Sequence, residues 1–214
     1  MELKKPKAVL FDWDNTLVNT WPVIHEALNK TFSALGHTPW SIDQVKQRVA
    51  RSMRDSFPDI FGENWKPAGE LYQQNFRAIH LERLQAFEGA EATLAFLRRQ
   101  QLYMAVVSNK KGVNLRKEVQ HIGWGKYFDK VIGADDTPRD KPAPEPVIAA
   151  LEGSGIKPGA DVWFIGDSAV DMEVAHATGC VPLWYGELPE KLEHAFHVRF
   201  DSHGDLAKAL KKIF

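Results

Sequence analysis

Short apolar runs that stop abruptly at polar clusters constrain this chain more than any other feature. Residues 7–12, 103–107, 131–133, 162–165 and 181–185 form such runs, each shorter than an ordinary helix. The first holds Ala8, Val9, Leu10 and Phe11 in succession, as a strand covered on both faces requires. Between the runs, apolar residues recur at helical spacing. Leu94 and Leu97 mark residues 91–101, and Leu115, Val119 and Ile122 mark 113–122. Val147, Ile148 and Leu151 mark a helix opening near Pro144, where proline fits the first turn. Met172 and Ala175 mark a helix that starts near Ala169 and stops at Gly179, which suits a C-terminal cap. A last helix is expected over 205–213. Strand and helix alternate, which predicts a doubly wound parallel sheet with helices on both faces.

One stretch breaks the alternation. Between the first strand and Gly89 only helical signals occur: Ile24, Leu28, Phe32 and Leu35; then Ile42, Val45 and Val49; then a helix over about 68–84. The expected organisation is therefore a core formed by 1–18 and 87–214, with a small helical cap inserted at 19–86. No internal repeat or low-complexity tract is present.

With 27 basic and 28 acidic residues and a net charge of -1, the chain lacks the basic excess of a nucleic-acid or membrane-surface binder. No apolar stretch approaches the roughly 20 residues of a membrane span. Cys180 is the only cysteine, so no intrachain disulfide and no cysteine-rich metal site can form. A cytoplasmic protein is expected. Oligomeric state is left open.

Four polar clusters follow expected strands, where open parallel sheets bind ligands. The first, Asp12-Trp13-Asp14-Asn15-Thr16, sets two like charges together where strand residues are normally apolar. A divalent cation would neutralise them, one Asp could act as nucleophile and the other could handle protons. A turn built from Asp, Asn and Thr is the plainer reading. The second, Ser108-Asn109-Lys110, suits phosphate oxygens but equally suits a helix cap. In the third, Asp140-Lys141-Pro142, the lysine could offset phosphoryl charge or simply be solvated. In the fourth, Gly166-Asp167-Ser168 with Asp171, the two acids share a helix face, favourable at a helix start and also apt for a magnesium site. Convergence of all four on one crevice outweighs the separate readings.

In this order the segments FDWDNTLVNT (11–20), VVSNKKG (106–112), DKPAPEP (140–146) and FIGDSAVDMEVAHATGC (164–180) resemble the haloacid dehalogenase superfamily and, within it, the phosphoglycolate phosphatases. The resemblance implies a Rossmann-like core with a small cap and a Mg2+-dependent phosphatase acting on a small phosphorylated metabolite. It also implies roles. Asp12 would be nucleophile and metal ligand. Asp14 would be general acid then base, with its carbonyl on the metal. Thr16, Ser108 and Asn109 would serve the phosphate and its loop, and Lys141 would stabilise nucleophile and transferred group. Asp167 would be a metal ligand and Asp171 an outer-shell anchor. Trp13 departs from the smaller or less polar residue expected there; it either packs beside the first strand or narrows the pocket. Arg51, Arg54, Trp65 and Lys66 are candidates to hold the far end of the substrate, although solvated cap residues are the commoner case.

Rivals stay in view. A phosphomutase would need a cap that shields the aspartyl-phosphate from water. A phosphonate hydrolase would need a cap lysine, and only Lys30, Lys46 and Lys66 are available there. A dehalogenase has no need of Asp14. A non-catalytic binding protein with a retained metal site would have little reason to keep both Asp12 and Asp14.

Overall fold

In the computed structural model, which describes residues 3–49, 51–189, 191 and 194–214, the first apolar run is the strand β1 (Ala8–Phe11), buried throughout. In chain order there follow β2 (Val18–Asn19), α1 (Trp21–Ala34), α2 (Ile42–Arg48), α3 (Met53–Phe61), α4 (Trp65–Ile79), β3 (Gln85–Ala86), α5 (Ala90–Arg99) and β4 (Tyr103–Lys111). The rest are α6 (Gly112–His121), β5 (Lys130–Ala134), α7 (Glu145–Leu151), β6 (Val162–Gly166), α8 (Ala169–Ala177), β7 (Val181–Tyr185), β8 (Val198–Phe200) and α9 (His203–Ile213). Six strands form one sheet in the order β5-β4-β1-β6-β7-β8, with every pairing parallel. The expected Rossmann-like, doubly wound fold is what forms.

Period-two alternation explains the layering. Val9 and Phe11 point to one face, into a cluster with Leu94 and Leu97 of α5, Leu115 and Val119 of α6, and Leu206 and Leu210 of α9. Ala8 and Leu10 point to the other, against Val147 and Leu151 of α7 and Val174 and Ala175 of α8. β1 pairs with β4 on one side and β6 on the other. The chain reverses its direction across the sheet there, so the loops after these strands flank the crevice that such folds use for ligands.

Helices α1–α4 pack around an apolar cluster of their own that includes Leu28, Phe32, Val45, Phe57 and Phe76. They lie in sequence between β2 and β3, which pair antiparallel as a two-stranded ribbon, Val18 opposite Ala86 and Asn19 opposite Gln85. The short strands β2, β3 and β8 have no counterpart in the sequence expectation, and three further elements depart from it. α3 was not anticipated, because Pro58 interrupts its pattern. The helix expected over 68–84 occupies Trp65–Ile79 instead. β4 continues past Val107 to Lys111 through a register irregularity, so Ser108, Asn109 and Lys110 lie within the strand's last four residues rather than in a loop beyond it. Among the described residues no helix is long and apolar enough to cross a membrane.

Candidate active site

The turn after β1 uses its polar residues for different tasks. Asn15 takes a left-handed conformation, φ 59°, which Asn tolerates better than most side chains. Its Oδ1 accepts from the backbone amides of Thr20 and Trp21, both at 3.2 Å, and so fixes the start of α1. Asn15 thus performs the structural work of the turn, and neither aspartate is needed for it. Trp13 is fully buried, edge-on to Trp124 at 5.9 Å. It packs under the first strand and does not narrow the pocket.

Asp12 is nearly buried at the strand end. Lys141, itself buried, donates to Asp12 Oδ1 at 2.9 Å and to Asp171 Oδ1 at 2.7 Å. Asp171 Oδ2 accepts from the backbone amide of Ser168 at 3.1 Å and from its hydroxyl at 2.6 Å. Gly166 makes this approach possible: a Cβ there would lie 2.3 Å from Asp171 Cγ. Thr16 is buried and its hydroxyl donates to Asp167 Oδ1 at 3.3 Å. Ser108 lines the cavity with Asp12, Asp14 and Lys141. Asn109 also reaches the cavity, but its amide donates to the Lys141 carbonyl at 3.0 Å, so it steadies the lysine.

Electrostatics follow from this crowding. Burial pushes the Asp12 carboxyl up; Lys141 pulls it back, Asp171 and Asp14 push further, and it comes to rest at about 7. Asp167 is raised well above the usual range, by burial first and then by Asp12 and Asp171. Burial works against the Lys141 ammonium, but its two carboxylate partners outweigh that and raise it. One ammonium is therefore asked to balance three acids. Asp12, Asp167 and Asp171 each bring a carboxylate oxygen to within 4.8 Å of the others. This all-oxygen set fits a hard divalent cation. Asp171 spends both oxygens on protein donors, whereas the contacts above engage only one oxygen each of Asp12 and Asp167. Asp171 is thus suited to anchor Lys141 from behind.

The cavity, about 1480 Å³, is lined by the strand ends on one side and by the inserted helices on the other. Of the four insert candidates, Arg51 and Arg54 reach it. Trp65 packs against the insert's own apolar cluster, and Lys66 lies over the Trp65 ring. Arg54 is not free for a ligand: its Nε and Nη2 donate to the two oxygens of Asp140 at 2.5 Å, and Nη2 also donates to the Thr137 carbonyl. Sequence reading passed over His203, whose signal is only a polar residue opening α9. Its Nε2 donates to the Thr16 carbonyl at 2.9 Å, and its Nδ1 is buried without a partner. Burial lowers His203 to about 4, the bond to Thr16 opposing only in part.

A pH dependence follows. A histidine near 6.5 when unfolded and about 4 when folded contributes stability that is complete above pH ~6.5 and is lost as pH falls towards 4. The whole shift corresponds to about 3 kcal/mol. Thermal melts of the wild type and His203→Asn from pH 7 to 4 should show the shallower decline in the variant. Parallel declines would remove His203 from the acid response.

The fold and the site together define an α/β protein that gathers buried carboxylates and a lysine at the carboxyl ends of a parallel sheet. The chain belongs to the haloacid dehalogenase-like hydrolase family, whose sequence model matches residues 9–184. Phosphoglycolate phosphatase 1 of Pseudomonas aeruginosa is 31% identical over 193 residues, covering 85% of this chain and 70% of that protein. Its counterpart in Pseudomonas fluorescens is 30% identical over 196 residues, with the same coverage of each chain, 85% and 70%. Such relatives set the chain among the phosphoric monoester hydrolases of the family. A haloacid dehalogenase superfamily hydrolase from Ehrlichia chaffeensis is 32% identical, with a TM-score of 0.69 and 99% of each chain covered. A haloacid dehalogenase-like hydrolase from Bacteroides fragilis shares the fold at a TM-score of 0.87 with 22% identity, over 94% of this chain and 100% of that one.

Proposed function

We propose that the chain hydrolyses a small phosphorylated metabolite through an aspartyl-phosphate on Asp12, with magnesium held by Asp12, Asp167 and the backbone carbonyl of Asp14. The observation that carries this reading is Asp12: a buried carboxylate at the end of the central strand, gripped by Lys141 at 2.9 Å and open to the cavity. A bound cation would supply positive charge for the phosphoryl oxygens and for the acid cluster. Asp12 attacks phosphorus and the ester bond to the leaving oxygen breaks, while Asp14 gives that oxygen a proton. Asp14, now a carboxylate, takes a proton from water as the water attacks phosphorus, and the bond to Asp12 breaks. Lys141 holds Asp12 in line and offsets charge on the transferred group. Ser108 meets a phosphoryl oxygen, with Asn109 beside it. Thr16 fixes Asp167, and Asp171 fixes Lys141.

In this reading residues 19–86 act as a cap that closes over the core formed by 1–18 and 87–214, with the β2–β3 ribbon as its hinge. Arg51, exposed and on the cavity wall, is the insert's candidate for the far end of the substrate, while Arg54 serves the closed arrangement through Asp140. The lone cysteine, Cys180, is buried and free, in keeping with a cytoplasmic enzyme. Phosphoglycolate is the favoured substrate because the curated relatives are phosphoglycolate phosphatases.

Phosphate release from a panel of phosphorylated metabolites, with magnesium and with a chelator, tests the reading. Phosphoglycolate should rank first, activity should vanish with the chelator, and Arg51→Ala should change the ranking more than the rate on nitrophenyl phosphate. Asp167→Ala should need more than about tenfold more magnesium for half-maximal rate. Turnover that survives chelation, or superimposable magnesium curves, would contradict the metal assignment. A different leading substrate would replace phosphoglycolate.

A further inference from the structure

Asp14 does not stand alone at the cavity. Lys110, at the end of β4, lies 2.6 Å from Asp14 Oδ1 and 2.6 Å from Glu118 Oε2. Glu118, on α6, is fully buried, and the Lys110 side chain is only 5% exposed. The same Glu118 Oε2 accepts from the indole of Trp13 at 2.7 Å. Glu118 Oε1 lies 2.7 Å from His80 Nδ1, which must be the donor because a carboxylate only accepts. His80 directly follows α4 and is buried. Its ring stacks on Phe76 at 4.9 Å, and the Phe76 ring lies 5.1 Å from the Lys110 ammonium. We propose that Lys110, Glu118 and His80 form a buried positioning chain that holds Asp14 and connects it to the end of α4, a role that rests on the reading of Asp14 as the proton-transferring group.

Simple stability does not account for these charges, because a buried ion pair is often no better than apolar side chains of equal volume. Their arrangement around Asp14 does. Glu118 grips Trp13, the residue just before Asp14, and also fixes the ammonium that faces the Asp14 carboxylate. The acid is thus held through its backbone neighbour and through its side chain. As Asp14 yields its proton to a leaving group, the new negative charge develops against a fixed, nearly buried ammonium. Burial alone would neutralise Glu118, but Lys110 and the bonds from His80, Lys110 and Trp13 outweigh it and keep its carboxyl below the usual range. His80 and Phe76 belong to the inserted segment and Lys110 and Glu118 to the sheet and α6, so the position of α4 is felt at Asp14.

The test compares an alkyl phosphate, whose alcohol needs a proton to leave, with nitrophenyl phosphate, which does not. Lys110→Met should lower kcat on the alkyl ester about 10–100-fold, a part of what general acid catalysis contributes, with little change in KM and a much smaller loss on the aryl ester. Lys110→Arg should restore most of the loss. In an Asp14→Asn background, Lys110→Met should cost less than about threefold more, because it acts through a group already removed. Should Lys110→Met fail to fold around an unpaired Glu118, the double variant Lys110→Met/Glu118→Gln removes both charges and takes the same measurements. Equal losses on both esters, or additive losses with Asp14→Asn, would make the chain merely structural and overturn the proposal. If Asp14→Asn prefers the aryl ester while the Lys110 variants do not, this proposal alone falls. If Asp14→Asn shows no such preference, the reading of Asp14 falls and takes this proposal with it.

Discussion

Asp12→Asn is expected to lower kcat by at least ~10⁴-fold on every phosphate ester, alkyl or aryl, because the proposed mechanism takes its attacking oxygen from Asp12. An amide cannot serve as that nucleophile. Folding should survive. Asp12 is raised to about 7 in a cluster short of positive charge, so removing its charge relieves repulsion with Asp167 and Asp171, and Lys141 keeps Asp171 as partner at 2.7 Å. The melting temperature of the metal-free variant should therefore equal or exceed that of the wild type. Residual activity within tenfold of wild type would rule out Asp12 as nucleophile. A folded, inactive variant separates chemistry from stability at this position.

Lys141→Met should do the opposite to stability while also suppressing turnover. The ammonium is buried and holds Asp12 and Asp171 together. Deleting it leaves two buried acids without their shared counter-charge, which costs about 3–5 kcal/mol for a buried pair broken on one side. Turnover should fall by a further mechanism, loss of charge opposite the transferred phosphoryl group, worth about 10²–10³-fold. Denaturant unfolding without metal reads the first effect, and kcat under saturating magnesium reads the second. Unchanged unfolding would mean that solvent, not Lys141, balances the cluster.

The two variants bear on what the sequence carried and what it could not. Runs such as Ala8 to Phe11 announced a sheet buried on both faces, because only apolar residues tolerate that position. The order of four polar clusters announced the crevice, because parallel strands deliver their ends to one side. Short elements escaped: β2, β3 and β8 have two or three residues each, too few for any period to show. α3 escaped because Pro58 lies within it. Side-chain allegiances escaped for another reason. Arg54 turns to Asp140 and Lys110 to Asp14 across long stretches of chain, and nothing local in the sequence encodes such pairings. Trp13 is the plainest instance. Its neighbours left packing and pocket-narrowing both open, and the partner that fixes it, Glu118, lies 105 residues away.

The most direct test of the account is the location of phosphate on the protein during turnover. Magnesium-loaded enzyme would be mixed with radiolabelled phosphoglycolate or labelled nitrophenyl phosphate, quenched in acid within milliseconds and digested, and the labelled peptide sequenced. Asp14→Asn, expected to slow water attack on the intermediate, would be run beside the wild type to raise the trapped amount. The account predicts close to one hydroxylamine-labile phosphate per active site, on the peptide that contains Asp12, and none in Asp12→Asn. Label on another residue, or turnover with no protein-bound phosphate in either enzyme, would contradict it.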